Sequence, residues 1–117
     1  MAYSENLANR IRESLEHMDH VEEKRMFRGM CFMVNGKMCI CVGENEMMCR
    51  IGPEEFEHAL ERPGVRPMIH GQRTMKGFVF VSEEGMRSAK DFRYFIDASL
   101  AFNKIAEATP KSKKKKK

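Results

Sequence analysis

The sequence lacks the motifs by which catalytic sites are commonly recognised. No serine lies in a nucleophile elbow, the glycines form no phosphate-binding loop, and the four histidines show no H-E-x-x-H spacing. The four cysteines also lack the paired C-x-x-C spacing of a zinc knuckle. We therefore predict that the protein is not an enzyme, has no catalytic residues and holds neither a metal nor a cofactor.

A long apolar segment is absent as well. Neither end of the chain carries a run long enough for a signal peptide or a membrane-spanning helix, which predicts a cytoplasmic protein that does not contact membranes. In that reducing compartment we expect the four cysteines to be free thiols. The length of 117 residues is that of one small domain, which can bury a modest core without disulfides or metal.

Outside the end of the chain, basic residues are slightly fewer than acidic residues. The net charge is +4, but the segment after Pro110 supplies six of the 21 basic residues, which leaves 15 basic against 17 acidic residues in 1–110. We divide the chain into a folded domain, residues 1–109, and a disordered lysine-rich tail, residues 110–117. The tail either binds an anionic polymer weakly and in a salt-dependent way or serves only as a solubilising segment. The predicted nucleic-acid contacts are Lys111, Lys113, Lys114, Lys115, Lys116 and Lys117.

The first half of the chain reads as a helix followed by a meander of strands. Ser4 is a good N-cap for a helix whose apolar residues recur at spacings of four, four and three. Those residues are Leu7, Ile11, Leu15 and Met18. Asn35-Gly36 is a strong hairpin signal, and residues 43–46 form a looser turn. Two turns predict three antiparallel strands.

The second half alternates helices and strands. A short helix begins at Pro53, and two strands follow at residues 66–70 and 75–81. Pro67 places the first of these strands at a sheet edge. Ser88 begins a third helix. The predicted order is helix, three-stranded antiparallel meander, helix, two strands, helix, which is an α+β fold with the helices on one face of the sheet.

Several segments between residues 3 and 105 resemble one protein family. They are Met26-Phe27-Arg28-Gly29 with Phe32 and Asn35-Gly36, Arg50-Ile51-Gly52-Pro53-Glu54, Arg66-Pro67-Met68, and Met75-Lys76-Gly77-Phe78-Val79-Phe80-Val81. In their order along the chain they resemble the N-terminal domain of the TfoX/Sxy family of bacterial competence regulators. Arg28 departs from the family pattern, which usually has a second glycine there.

The resemblance implies a secretion-chaperone-like α+β fold, in agreement with the element order read from the sequence. Regulators of this family continue into a helical C-terminal domain and act as coactivators beside the cyclic-AMP receptor protein at promoters. This chain resembles their first half alone, as do stand-alone members of the family. The resemblance thus implies a regulatory domain whose partners include transcription proteins, and it supplies no catalytic residues.

The geometry of the hairpin at residues 35–36 gives a first placement of the cysteines. A regular two-residue loop sets Phe32 opposite Cys39. Cys31 then lies on the opposite sheet face from Cys39 and Cys41. This register excludes a disulfide between Cys31 and either of them, and it excludes a single four-cysteine zinc site.

The same register predicts an interaction face. One sheet face is apolar throughout and must be covered by the helices, whereas the other has an apolar centre and charged ends, which is the anatomy of a protein interface. The predicted interaction face consists of Met30, Phe32, Val34, Cys39, Cys41, Met48 and Arg50. The alternative is that the last helix or the strand at residues 75–81 covers this face.

We interpret the protein as a non-catalytic protein-interaction or regulatory domain, with a second copy of itself or another protein as its partner. One alternative is a nucleic-acid-associated regulator that uses the basic tail. A further alternative is a thiol or soft-metal site at Cys39-x-Cys41, with Met30 or Met48 as an additional ligand.

Overall fold

The computed structural model describes residues 3–26 and 29–106, without the side chains of Met26 and His70. The helices are α1 (Glu5–Ser14), α2 (Pro53–Leu60) and α3 (Ala89–Asn103), and a short 3₁₀ helix spans Glu83–Met86. The strands are β1 (Val21–Met26), β2 (Gly29–Val34), β3 (Lys37–Val42), β4 (Glu46–Arg50), β5 (Val65–His70) and β6 (Arg73–Ser82). Arg28 and the predicted tail, with its lysine contacts, lie outside the described residues.

The helix starts are those that the sequence indicates. The Ser4 side chain accepts a hydrogen bond from the Leu7 amide at 3.2 Å, and the Ser88 side chain accepts one from the Asp91 amide at 3.1 Å. Pro53 occupies the first turn of α2, where its missing N–H costs no hydrogen bond. Side-chain caps thus mark the starts of α1 and α3, and Pro53 marks the start of α2.

The strands form one six-stranded antiparallel sheet in the order β1-β2-β3-β4-β6-β5. Pro67 lies in edge strand β5, as predicted. The structure has one strand more than the sequence-based order, because β1 precedes the meander. Its sequence, with four charged residues in succession, shows no apolar alternation, and such a strand is tolerated at an edge where charged side chains reach water.

All three helices pack on the same face of the sheet, which confirms the α+β class and the one-sided arrangement. A single core contains Leu7 and Ile11 of α1, Phe56 of α2 and Phe95 and Ile96 of α3, together with one face of the strands. No helix of the described residues is long and apolar enough to cross a membrane.

Two hydrogen bonds connect the end of α3 to the β2–β3 hairpin. The side-chain amide of Asn103, which is buried, donates to the carbonyl of Val34 at 3.1 Å, and Lys37 Nζ donates to the carbonyl of Asn103 at 2.8 Å. These hydrogen bonds satisfy polar groups at a helix end that would otherwise be orphaned. They also hold the hairpin against the helices, which fixes which face of β2 is inside.

Candidate interaction face

A β-bulge in β3 sets the register of the whole meander. The pairs Val34 with Lys37 and Met33 with Met38 follow the two-residue loop, but Phe32 then pairs with Ile40 because Cys39 is an extra residue in β3. A bulge of this kind shifts every later pair by one position. The predicted pairing of Phe32 with Cys39 is therefore wrong.

The bulge exchanges the two faces of β2. Met30, Phe32 and Val34 are buried in the core beneath the helices, and Cys39 lies in the same core. The structure thus contradicts their assignment to the interaction face. Of the residues assigned to that face, Cys41 and Met48 do lie on the side away from the helices. Arg50 lies at the end of the sheet, with its guanidinium 5.7 Å from the centre of the Phe78 ring and 5.6 Å from that of Phe102.

We call the side of the sheet away from the helices the open face. Its members share an apolar and mostly sulfur-containing side chain, and they form a second cluster separate from the main core. They are Cys31, Met33, Met38, Cys41, Met48, Met68, Phe78 and Phe80. Strand β6 is part of the sheet and contributes Phe78 and Phe80 to this face, so it does not cover the face as the alternative supposed, and α3 packs on the other side.

Two of these sulfur atoms are joined. The register places Cys31 directly opposite Cys41, and their Sγ atoms form a disulfide, with the Cα atoms 3.9 Å apart. The prediction that all cysteines are free thiols, and the exclusion of this disulfide, are therefore wrong, and the bulge at Cys39 is the reason. Cys39 and Cys49 are free and buried on the helix side. A site at Cys39-x-Cys41 is also contradicted, because the two side chains lie in different clusters.

Charged residues surround the open face. Glu22 pairs with Met33 and Lys24 pairs with Cys31, which places both charges on the open side of edge strand β1. Near the opposite edge of the same face, Arg66 of β5 forms an ion pair with the Glu46 carboxylate at 2.8 Å. Its guanidinium lies 4.4 Å from the centre of the Phe80 ring. The face therefore has an apolar centre and a rim that carries both signs of charge.

A cavity of about 290 Å³ opens on this face. Its lining includes Cys41, Met48, Met68 and Phe80, with Glu46 at its charged side. The cavity thus reaches the sulfur-containing centre between the charged rim residues, and Cys41 and Met48 are buried at its base.

The two free thiols, Cys39 and Cys49, have raised pKa values. Burial raises the pKa of Cys39 to about 12, an effect that the charge of Arg50 partly offsets. Burial likewise raises the pKa of Cys49 to about 12, against a hydrogen bond with Ser99 that lowers it. Because thiolates are the reactive form, neither thiol is suited to nucleophilic or redox chemistry near neutral pH.

A cluster of polar side chains connects α2 to α3. The Tyr94 hydroxyl donates to the Glu55 carboxylate, and the Arg62 guanidinium lies 3.8 Å from the centre of the Tyr94 ring while also bonding Asp91. Burial and the hydrogen bond to Glu55 raise the pKa of Tyr94 to about 12. The Arg62–Asp91 ion pair and the Tyr94–Glu55 hydrogen bond thus connect the two helices and stabilise their packing.

Sequence reasoning missed six of the eight open-face residues, and for two of them a signal was present. The alternation of Phe78 and Phe80 with Val79 and Val81 has the period of a strand with two apolar faces. The valines are buried and the phenylalanines are partly exposed. The change of face along β2 had no such signal, because every residue from Met30 to Val34 is apolar.

A family model described as the TfoX N-terminal domain matches residues 13–103. No curated protein and no solved structure matches the chain.

Proposed function

This chain belongs to the TfoX N-terminal domain family, and on that premise we propose that it is a non-catalytic, cytoplasmic protein-interaction domain. Its interaction surface is the open face of the sheet. Its first partner is a second copy of the chain, which packs face to face against the same surface.

The observation that carries this proposal is the composition of the open face. Within the described residues the helices all pack on the other side of the sheet. The centre of the open face nevertheless consists of methionine, cysteine and phenylalanine side chains. Met38, Met68, Phe78 and Phe80 form its outer, partly exposed layer. A contiguous apolar patch inside a polar rim is typical of a protein interface.

The charges of the rim favour a second copy. A two-fold axis parallel to the strands lays the β1 edge of one copy over the β5 edge of the other. The β1 edge carries Glu22 and Lys24, whereas near the other edge Glu46 of β4 and Arg66 of β5 form an ion pair. Each side of the face thus carries one acid and one base, so the two sides can meet without net repulsion.

The size of the face sets the expected affinity. Six strands span five gaps, which is roughly 24 Å, and five-residue strands are roughly 17 Å long. The projected area is thus roughly 400 Å² on each copy. Stable complexes bury about 800 Å² per partner, so we expect a weak dimer with a dissociation constant in the micromolar range.

The absence of catalysis is part of the proposal. The raised pKa values of Cys39 and Cys49 make these thiols less reactive near neutral pH. Tyr94, whose pKa is also raised, contributes to the packing of α2 against α3. A catalytic site would need the opposite, with groups poised near neutral pH in a cleft.

The test is sedimentation of the full chain over a concentration series. Phe80 lies on the open face and is partly exposed, so Phe80→Glu places a charge in the proposed interface without removing a core residue. The matched control is Ile105→Glu, because Ile105 is 76% exposed beside α2 and α3. We expect wild type and the control to dimerise alike, and Phe80→Glu to remain monomeric with an unchanged circular dichroism spectrum.

A wild-type chain that stays monomeric at millimolar concentration would overturn self-association. Equal dimerisation of wild type and Phe80→Glu would show that another surface is used. Transcription proteins, which the family resemblance implies as partners, would then be tested against the open face with the same pair of variants.

A further inference from the structure

We propose that Cys31, Cys41 and Met48 form a binding site for Cu(I) when the Cys31–Cys41 disulfide is reduced. All three ligands belong to one chain, so this inference does not rest on the dimer proposed above. It assigns a chemical role to the sulfur atoms at the centre of the open face.

The ligands lie in one row across three neighbouring strands. Cys31 of β2 pairs with Cys41 of β3, and Cys41 pairs with Met48 of β4. Directly opposed residues of an antiparallel sheet point to the same face, so the three side chains lie side by side on the open face. The Cα atoms of the two cysteines are 3.9 Å apart, which keeps both thiols within reach of one ion after reduction.

The donor set selects the ion. Thiolate and thioether sulfur are soft ligands that favour Cu(I), whereas carboxylate and water suit harder cations. Zinc in a structural site requires four nitrogen, sulfur or oxygen ligands. Among residues 3–26 and 29–106, no group of three or more histidine, cysteine, aspartate or glutamate side chains is placed to hold a metal. Two thiolates and a methionine therefore suit Cu(I) and leave zinc underligated.

The surroundings distinguish this pair from the other cysteines. Lys24 pairs with Cys31 on the open side of β1, which places a positive charge beside this pair. Cys39 and Cys49 lie in the main core instead, and burial raises the pKa of both to about 12. Of the four cysteines, Cys31 and Cys41 are thus the two that lie together on the open face.

An ion can reach the row from solvent. The cavity of about 290 Å³ on the open face is lined by Cys41 and Met48. Met68 and Phe80 provide apolar contacts around the cavity, and Glu46 lies at its charged side.

The chemistry balances in two steps. A cellular dithiol reduces the disulfide, so that its two sulfur atoms are oxidised to a disulfide while Cys31 and Cys41 each gain one electron and one proton. Cu(I) then displaces the two thiol protons and binds both sulfur atoms without a change of oxidation state. The resulting bis-thiolate complex carries a net charge of −1, which Lys24 is placed to balance.

The experiment is a competition for Cu(I) between the full chain and a chromophoric chelator, without oxygen, after reduction and removal of the reductant. We expect one Cu(I) per chain. Loss of an outer-shell partner typically costs 10–100-fold in affinity, so loss of a thiolate ligand in Cys31→Ser or Cys41→Ser should cost about 100-fold or more. Met48→Leu should cost about tenfold, since a thioether is the weaker ligand. The control Cys39→Ala should bind as wild type does.

A second measurement uses the wild-type chain alone, so it does not depend on variants that fold. Alkylation followed by mass spectrometry should modify Cys31 and Cys41 in the reduced protein, and one equivalent of Cu(I) should protect both. No Cu(I) binding by the reduced chain, or binding that Cys31→Ser leaves unchanged, would overturn the proposal. Alkylation of both cysteines at the same rate with and without Cu(I) would overturn it as well, leaving a pair that serves redox chemistry alone.

Discussion

Phe32→Ala should unfold the domain far more readily than the equivalent change on the open face. Phe32 is 0% exposed and lies in the core beneath α1, with the Arg12 guanidinium 6.0 Å from its ring centre. Removing a buried phenylalanine side chain costs about 3–5 kcal/mol, which includes the cavity that remains. Domains of this size have a total stability of about 5–15 kcal/mol. The variant should therefore lose a large part of its stability.

The matched control is Phe80→Ala. Phe80 is partly exposed in the open-face cluster, so its truncation removes less buried surface and should cost about 1 kcal/mol. The free energy of unfolding of Phe32→Ala should therefore lie about 2–4 kcal/mol below that of Phe80→Ala.

The assay is urea unfolding followed by circular dichroism at low micromolar concentration, with a reductant present in every sample. The reductant removes the Cys31–Cys41 disulfide from the comparison, and dilution removes any contribution from association. Midpoints are compared at a common slope. A cost for Phe32→Ala no greater than that for Phe80→Ala would refute the bulged register and return Phe32 to the open face.

Three further changes test other parts of the structure. Gly52→Ala should destabilise the domain by about 2 kcal/mol or more in thermal melts, because Gly52 has φ of 90° and a Cβ there would lie 2.4 Å from the Phe102 ring. A hydrogen bond from Arg12 lowers the pKa of Glu23, so the ion pair stabilises the fold above the usual glutamate pKa and is lost as pH falls through the lowered value. The pair is partly exposed, so the stability difference between wild type and Glu23→Gln should stay below about 1 kcal/mol at pH 7 and disappear in acid. Deleting residues 111–117 should abolish salt-dependent binding to a DNA fragment, measured by fluorescence anisotropy, and retained binding would move that contact to the folded domain.

The sequence was informative wherever local chemistry decides the structure. Ser4 and Ser88 each provide a side-chain cap, and the Asn35-Gly36 loop has the positive φ angles that its residues favour. These signals were sufficient for the α+β class and for the order of every element except β1. Strand β1 was not predicted, because its charged residues resemble those of a loop. Its pairing with β2 is what makes it a strand.

The candidate site was harder to predict because it depends on one residue. In a strand where every side chain is apolar, the pattern does not say which face is inside, so the register must be inferred from the turn. Cys39 breaks that inference, since the bulge moves Ile40 opposite Phe32 and Cys41 opposite Cys31. The fold class is unaffected by such a shift, whereas the membership of the open face is reversed along β2.

Both proposals depend on the bulge at Cys39. Without the bulge but with Cys39 still present in the strand, Cys31 would lie in the core and Cys41 on the open face, so the two sulfur atoms could not meet. With it, the core gains Phe32 beneath α1 and the open face gains a pair of cysteines among methionines. Deleting Cys39 should remove the bulge and leave the later pairs unchanged, because Cys39 is the extra residue of β3. Phe32 should then still lie opposite Ile40 and Cys31 opposite Cys41, so Cu(I) binding by the reduced chain and the open-face contact surface should both persist.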